Sequence, residues 1–291
     1  MSKKIKIIII PIIGFIIIAT FGILSIPSVS KDKEVDKEYS KELLKINVLD
    51  VSQADSIFIE LPNKETMLID AGERSSKDTI EAYINNLGYS RIDYLIGTHP
   101  HADHIGSMAS IINDYEIGNI YMPKALSTSK IYEELLTTIN NKNMKVKNTK
   151  AGLMIVDEDN LKIKVIAPNS DSYKTLNNYS IVIKITYYDN EFLFMGDAEV
   201  LSEKEITDDV SADVIKVGHH GSITSSSTDF LNRVQPKYAI ISVGENNKYK
   251  HPSEDVISRY QDIGATIYRT DLNGNIVITS NGQTIDIKTD K

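Results

Sequence analysis

Between His99 and His104 the chain places three histidines and one aspartate within six residues, in the order His-Pro-His-Ala-Asp-His. The apolar run Ile92–Thr98 reads as a strand and His104–Ile112 as a helix, so the cluster falls on a strand-to-helix turn where side chains can converge. Imidazole and carboxylate are the donors that Zn²⁺, Mn²⁺ and Fe²⁺ take. The chain has only six histidines, so half of them in one turn is not compositional noise. The plain alternative is a polar loop of capping residues, and exposed loops rarely gather so many ligands.

Around that turn the pattern is regular. Ile46–Val51, Ser56–Leu61 and Thr66–Asp70 read as strands, and Asp78–Leu87 as a helix stopped at Gly88. Leu161–Ala167 reads as a strand, and Ser180–Tyr188 with Glu191–Met195 as a hairpin about Asp189–Asn190. Further strands are predicted at Asp213–Val217, Tyr238–Val243, Thr266–Arg269 and Ile276–Thr279, with helices at Ile131–Ile139, Leu201–Thr207, Thr228–Val234 and Glu254–Ile263. Strands followed by alternating strands and helices predict sheets packed together with helices outside.

The first thirty residues differ. Lys3, Lys4 and Lys6 precede an apolar run from Ile7 to Ile26 without an acid. At about 1.5 Å per residue it can just cross a hydrocarbon core of about 30 Å, with the positive end cytoplasmic. Two readings stand: a signal peptide cleaved near Ser28 or Ser30, and an uncleaved membrane anchor. Either makes residues 1–30 a targeting segment, 31–42 a charged linker and 43–291 an extracytoplasmic domain, secreted or anchored. With no cysteine in the chain, a lipoprotein anchor and a disulfide framework are excluded. Without the three N-terminal lysines, 29 basic residues face 40 acidic ones, a net charge of −11. Such a domain is poorly suited to extended, non-specific duplex binding. Lys124, Lys130 and Lys142–Lys150 offer a local basic strip, for which a solvated face is the plainer reading.

The turn His99–His104, H-x-H-x-D-H after a strand, resembles the signature of the metallo-β-lactamase fold. Leu49–Ser56, Leu68–Gly72, Asn177–Ser180, Phe194–Asp197, Lys216–Ser222 and Tyr249–Pro252 further resemble the soluble hydrolase domain of ComEC-type competence proteins. The chain has Ser52 and Ala54 where that family usually has glycines. The resemblance runs from about Ile46 to Ile287 and implies an α/β chain, an αββα four-layer sandwich after an N-terminal hydrophobic helix.

It also implies two divalent metal ions, Zn²⁺ or Mn²⁺: His99 and His101 on one, Asp103 and His104 on the other, with Asp197 bridging. His220, next to Gly221, matches the ligand position, which leaves His219 facing substrate or solvent. Asn177–Ser180 stands where other members carry a further ligand histidine, and the resulting oxygen and water character relaxes the preference for zinc towards Mn²⁺. Asp103 and His219 are the candidate catalytic residues, with Asp103 or Asp197 able to hold the nucleophile's proton. Asp70 reads as an orienter of a ligand histidine. Asn178, Ser222 and His251 are candidates either for supporting the ligands from behind or for lying near substrate. Each has a plain reading too: Asp197 can cap the following helix, His219 and His220 can form a satisfied polar turn, His251 can merely start a helix near Ser253, and Ser222–Ser227 can be a simple loop.

The function implied is a metal-dependent phosphodiesterase or nuclease acting outside the cytoplasmic membrane through a metal-activated hydroxide. Its substrate would be a phosphoester such as single-stranded DNA, and the chain a monomer. Hydrolysis of a small phosphoester such as a phosphorylcholine ester is the alternative. A β-lactam hydrolase fits less well because the third histidine is missing, and a non-enzymatic surface protein less well because the ligands are intact.

Overall fold

Alternation decides the layers. Ile57 and Ile59 point to one face of their strand and Phe58 to the other, and all three are buried. Ile183 and Ile185 likewise oppose Val182, and Phe192 and Phe194 oppose Leu193. Each such side chain contributes about 1.5–3 kcal/mol when buried, and a one-residue slip would exchange faces, so the register is fixed from both sides.

The computed structural model describes residues 42–291. The predicted N-terminal hydrophobic segment over 1–30, and the linker apart from Glu42, lie outside the described residues. Strands β1 (Leu44–Val48), β2 (Ile57–Glu60) and β3 (Thr66–Ile69) pair antiparallel in succession. Helix α1 (Lys77–Asn86) leads to β4 (Arg91–Ile96), parallel to β3. Helices α2 (Ala102–Ile105) and α3 (Met108–Asp114) precede β5 (Glu116–Met122), and α4 (Lys130–Asn141) precedes β6 (Val146–Asn148). The antiparallel run β7 (Met154–Asp157), β8 (Leu161–Ala167), β9 (Val182–Tyr187) and β10 (Asn190–Phe194) opens the second sheet. Then α5 (Val200–Glu205), β11 (Val214–Lys216), α6 (Thr228–Val234), β12 (Tyr238–Ile241), α7 (Glu254–Asp262) and β13 (Thr266–Arg269) follow, the strands parallel to β10. After α8 (Thr270–Asn273), β14 (Ile276–Ser280) and β15 (Ile285–Thr289) return to the first sheet beside β1.

The sheet orders are β15-β14-β1-β2-β3-β4-β5-β6 and β13-β12-β11-β10-β9-β8-β7. Their facing sides share one core, which includes Ile46, Ile59, Ile163, Ile185 and Phe192. Helices α1 to α4 cover the outer face of the first sheet through Ile80, Ile84, Ile111 and Leu135. Helices α6 and α7 cover the second through Phe230, Leu231, Val256 and Tyr260. This is the αββα sandwich expected from the sequence. One predicted helix, His104–Ile112, is broken into α2 and α3 about Gly106–Ser107. A Cβ on Gly106 would lie 2.4 Å from the Ala102 carbonyl oxygen and 2.5 Å from the Arg74 nitrogen, so the chain passes too tightly there for any side chain. Among the described residues no helix is long and apolar enough to cross a membrane.

The parallel strands bring their C-terminal ends to one edge of the sandwich. Asp70 follows β3, His99–His104 follow β4, Asp197 follows β10, and His219–His220 follow β11. The two sheets are also tied there by charge. Lys216, 2% exposed, ends β11 and donates to Asp55 Oδ2 at 2.7 Å in the loop between β1 and β2. A buried pair broken on one side leaves an uncompensated charge, which costs about 3–5 kcal/mol. Lys216→Met should therefore lower stability by about that amount in urea denaturation, and Asp55→Asn in the same background should recover part of the loss.

Candidate metal centre

Two sets of donors converge at this edge and share Asp197: His99, His101 and Asp197, and Asp103, His104, Asp197 and His220. In the second set, Asp197 Oδ1 lies 3.3 Å from His104 Nε2 and 3.7 Å from His220 Nε2. Asp103 Oδ2 lies 3.4 Å from His220 Nε2 and 3.9 Å from His104 Nε2. Bonds of about 2.1 Å at tetrahedral angles put donors roughly 3.4 Å apart, so this spacing suits one cation held between the four. Three of the atoms, His104 Nε2, His220 Nε2 and Asp197 Oδ1, are buried without a hydrogen-bond partner. Buried polar atoms seldom stay so unless they serve a ligand. The residues therefore fit a divalent ion.

The neighbours of each ring fix its tautomer. His104 Nδ1 is 2.7 Å from Asp70 Oδ2, and His220 Nδ1 is 2.9 Å from the Ser242 carbonyl. Both partners only accept, so each Nδ1 carries the proton and each Nε2 presents its lone pair. Thr98 Oγ1 gives its proton to Asp70 Oδ2 at 2.7 Å, so it accepts from His99 Nδ1 at 3.2 Å, which frees His99 Nε2. That Nε2 lies 3.7 Å from Asp197 Oδ2 and 2.8 Å from His101 Nδ1.

The electrostatics call for positive charge. Burial pushes the His104 imidazolium towards losing its proton, but Asp197, Asp70 and Asp103 outweigh that and hold its pKa well above the ordinary value. Burial opposes ionisation of Asp103 and Asp197, yet His104 and His220 keep both carboxyls below their usual range. A divalent cation would supply what the protonated ring supplies in its stead.

Local backbone geometry aims the ligands. Gly196 takes φ +51 immediately before Asp197. A Cβ there would press on Thr98 and Ser180 at 3.1–3.2 Å, the two hydroxyls that brace His99. His219 and His220 both adopt left-handed φ of 52°, a conformation costly for side-chain-bearing residues and found where structure around it demands it. Gly221 follows at φ +80, and a Cβ on it would strike Pro252 at 2.5 Å.

The centre opens into a cleft of about 640 Å³. His219 lines it, with Nε2 3.7 Å from Asp197 Oδ2, and so do Asn177 and His251. His251 thus faces the cleft, while Ser253 precedes α7. Of the two roles expected for Asn178 and Ser222, the structure places both in the supporting one. Asn178 does not face substrate: its Oδ1 accepts from the backbone N–H groups of Glu199 and Ser202 at the start of α5, and its Nδ2 donates to Glu199. The 3₁₀ turn Leu176–Tyr179 presents Asn177 instead, 3.4 Å from the His219 ring nitrogens. Ser222 is buried and pairs with Thr224 at 3.1 Å, which in turn meets His219 Nδ1 at 3.0 Å, so it braces the histidine loop and lines no part of the cleft. Asp197 caps nothing, since Asn178 does that work for α5.

Asp55 and Lys216 have no expected role in the ligand pattern of the sequence. Asp55 Oδ1 stands 3.5 Å from His220 Nδ1. The available signal was Lys216 itself, a lone cation in the apolar run Val214–Val217, which demands a buried partner.

The profile of the metallo-β-lactamase superfamily matches residues 49–245. The chain belongs to that superfamily, whose members typically hold divalent metal ions, and it has relatives among competence proteins. It is 29% identical to ComE operon protein 3 of Bacillus subtilis over 251 residues, 79% of this chain and 32% of that protein. It is 28% identical to competence protein ComA of Neisseria gonorrhoeae, over 79% of this chain and 31% of the other. It is 27% identical to recombination protein 2 of Haemophilus influenzae, over 82% and 29%. The chain thus spans about a third of the length of these curated relatives. Among solved structures, the metallo-β-lactamase fold protein YhfI of Bacillus subtilis superposes with a TM-score of 0.55 at 11% identity, covering 82% of this chain and all of that one. CmlA, a diiron β-hydroxylase of Streptomyces venezuelae, gives 0.55 at 15% identity, covering 83% and 54%. These likenesses show the fold.

Because Asp70 fixes the His104 tautomer, Asp70→Asn should weaken divalent-metal binding about 10–100-fold in competition with a chromogenic chelator.

Proposed function

We propose that the chain is a metal-dependent phosphodiesterase that cleaves single-stranded nucleic acid outside the cytoplasmic membrane. The observation that carries this reading is the sharing of Asp197 between two donor sets at the floor of an open cleft. Two adjacent divalent ions, when bound, supply Lewis acidity for a phosphoryl oxygen and lower the pKa of a water. The competence and recombination names of the relatives support a nucleic-acid substrate, and the apolar N-terminal run supports an extracytoplasmic place.

The chain's own residues position and exclude. Asp70, Thr98 and Ser242 hold three imidazoles in the tautomer that presents Nε2 inward. Asp103, one-quarter exposed, is the more exposed of the two carboxylates of the second donor set that line the cleft, and it can accept the proton of an attacking water. His219, at the cleft wall, can donate to the departing oxygen. The first donor set, two imidazoles and one carboxylate, has Asn177 near where the superfamily carries a further histidine. That harder, wetter set favours Mn²⁺ over Zn²⁺.

The test offers the full chain, loaded with Mn²⁺ or Zn²⁺, four substrates: single-stranded DNA, bis-p-nitrophenyl phosphate, p-nitrophenyl phosphorylcholine and a chromogenic β-lactam. The first two should be cleaved, and His101→Ala should abolish the activity while circular dichroism stays unchanged. Cleavage of the choline ester alone would replace this reading with a small-phosphoester hydrolase. Failure to retain any divalent ion would sink it.

A further inference from the structure

One aromatic ring lining the cleft stands largely outside the core. Tyr249 is 55% exposed, and among the exposed large apolar residues of the described chain it alone lines the cleft of the metal centre. Scattered exposed apolar side chains are ordinary, so exposure by itself means little. The setting is what counts. The Tyr249 ring lies nearly parallel to that of His251, 17° apart with centroids separated by 5.7 Å. His251 in turn packs edge-on against His219, 5.7 Å away, so the ring series runs from the rim to the donors.

The loop that carries Tyr249 is preorganised. Asn247 Nδ2 donates to the carbonyls of Gly244 and His251 at 3.0 and 2.7 Å, and its Oδ1 accepts from His251 N at 3.0 Å. One side chain therefore closes the loop from end to end, and the ring is held in place without being buried. Lys248 lines the same mouth, with its ammonium 4.9 Å from the Tyr249 centroid.

We propose that Tyr249, backed by His251 and flanked by Lys248, is a stacking platform for a nucleobase beside the phosphate at the metal centre. The inference rests on the phosphodiesterase reading above and narrows it to substrates that carry planar bases. An exposed ring face can also take a quaternary ammonium. Here that position already has the Lys248 ammonium over it, and Lys250 adds a second positive charge two residues on, so a cationic headgroup is repelled. A base is not. Stacking on an aromatic ring is the stronger contact, and Lys248 can leave an exposed cation–π contact to meet a phosphate. Because every base has a flat face, the platform selects bases without reading sequence.

The test compares two short single-stranded oligomers of equal length and charge, one of thymidine and one of abasic tetrahydrofuran units, with the metal-loaded full chain. Wild type should prefer the thymidine oligomer in kcat/KM by about ten-fold or more, mainly through KM. Tyr249→Ala should erase the preference, and Tyr249→Phe should keep it. Equal kcat/KM for the two oligomers in wild type, or a preference that survives Tyr249→Ala, overturns the platform while leaving phosphodiesterase activity standing. The same oligomers are read by fluorescence anisotropy. No cleavage of either, with base-dependent binding lost in Tyr249→Ala, would sink the phosphodiesterase reading and keep the platform; equal binding of both would sink the platform.

Discussion

Four carboxylates stand within 4.0 Å of one imidazole. His104 has Asp70 at 2.7 Å, Asp197 at 3.3 Å, Asp103 at 3.9 Å and Asp55 at 4.0 Å. All but Asp103 are buried, so their mutual repulsion is weakly screened, and the chain supplies one lysine, Lys216, to offset it. Burial raises the pKa of Asp70, while His104 and His220 hold Asp103 and Asp197 below the usual carboxylate range. The arrangement draws positive charge to the inner face of His104. The hydrogen bonds that fix the tautomers, the strain at His219 and His220 and the close passage at Gly196 all serve that arrangement.

The sandwich makes this affordable in stability. Neither sheet alone could bury such a cluster, because each presents its strand ends as an open edge. Packed face to face over a continuous aliphatic core, they bring the ends of β3 and β4 against those of β10, β11 and β12. The Asp55–Lys216 bridge spans that seam, and so couples the mutual position of the sheets to the aim of His220. Ligands on the seam are positioned by strands, which are stiff, and the cleft walls by loops, which are free to vary. Chemistry and selectivity therefore reside in different parts of the chain.

That division explains what was legible in the sequence. His99 to His104 is local: ligand types crowd one turn, and no tertiary knowledge is needed to see it. Asp197 and His220 are legible once the strand ends are placed, because Gly-Asp and His-Gly sit where β10 and β11 stop. The layered fold follows from the alternation in β2, β9 and β10. What was missed is non-local or weakly patterned. Strand β5 carries Gly118 and Asn119 in its middle, and β6 is only three residues long, below the length at which alternation speaks. The exchange of Asn178 for Asn177 is one step of a 3₁₀ turn, which no periodicity of 2 or 3.6 resolves. Asp55 looked like any loop acid, and its burial becomes visible only when Lys216 is recognised as a cation inside an apolar strand.

Charge at two scales remains to be reconciled. The chain is acidic, with a formal net charge of −8, and its site is made of carboxylates, yet the proposed substrate is an anion. At a Debye length of about 8 Å the general surface charge is largely screened, and the field inside the cleft is set by the groups that line it. There the acids are committed inward: Asp197 faces the histidines, and Asp55 and Asp70 are bonded to Lys216 and His104. Glu73 also lines the cleft, where partial burial and then Asp103 raise its pKa, opposed by Lys248. A phosphate approaching the mouth meets Lys248, and at the floor it would meet whatever cations the donor sets hold.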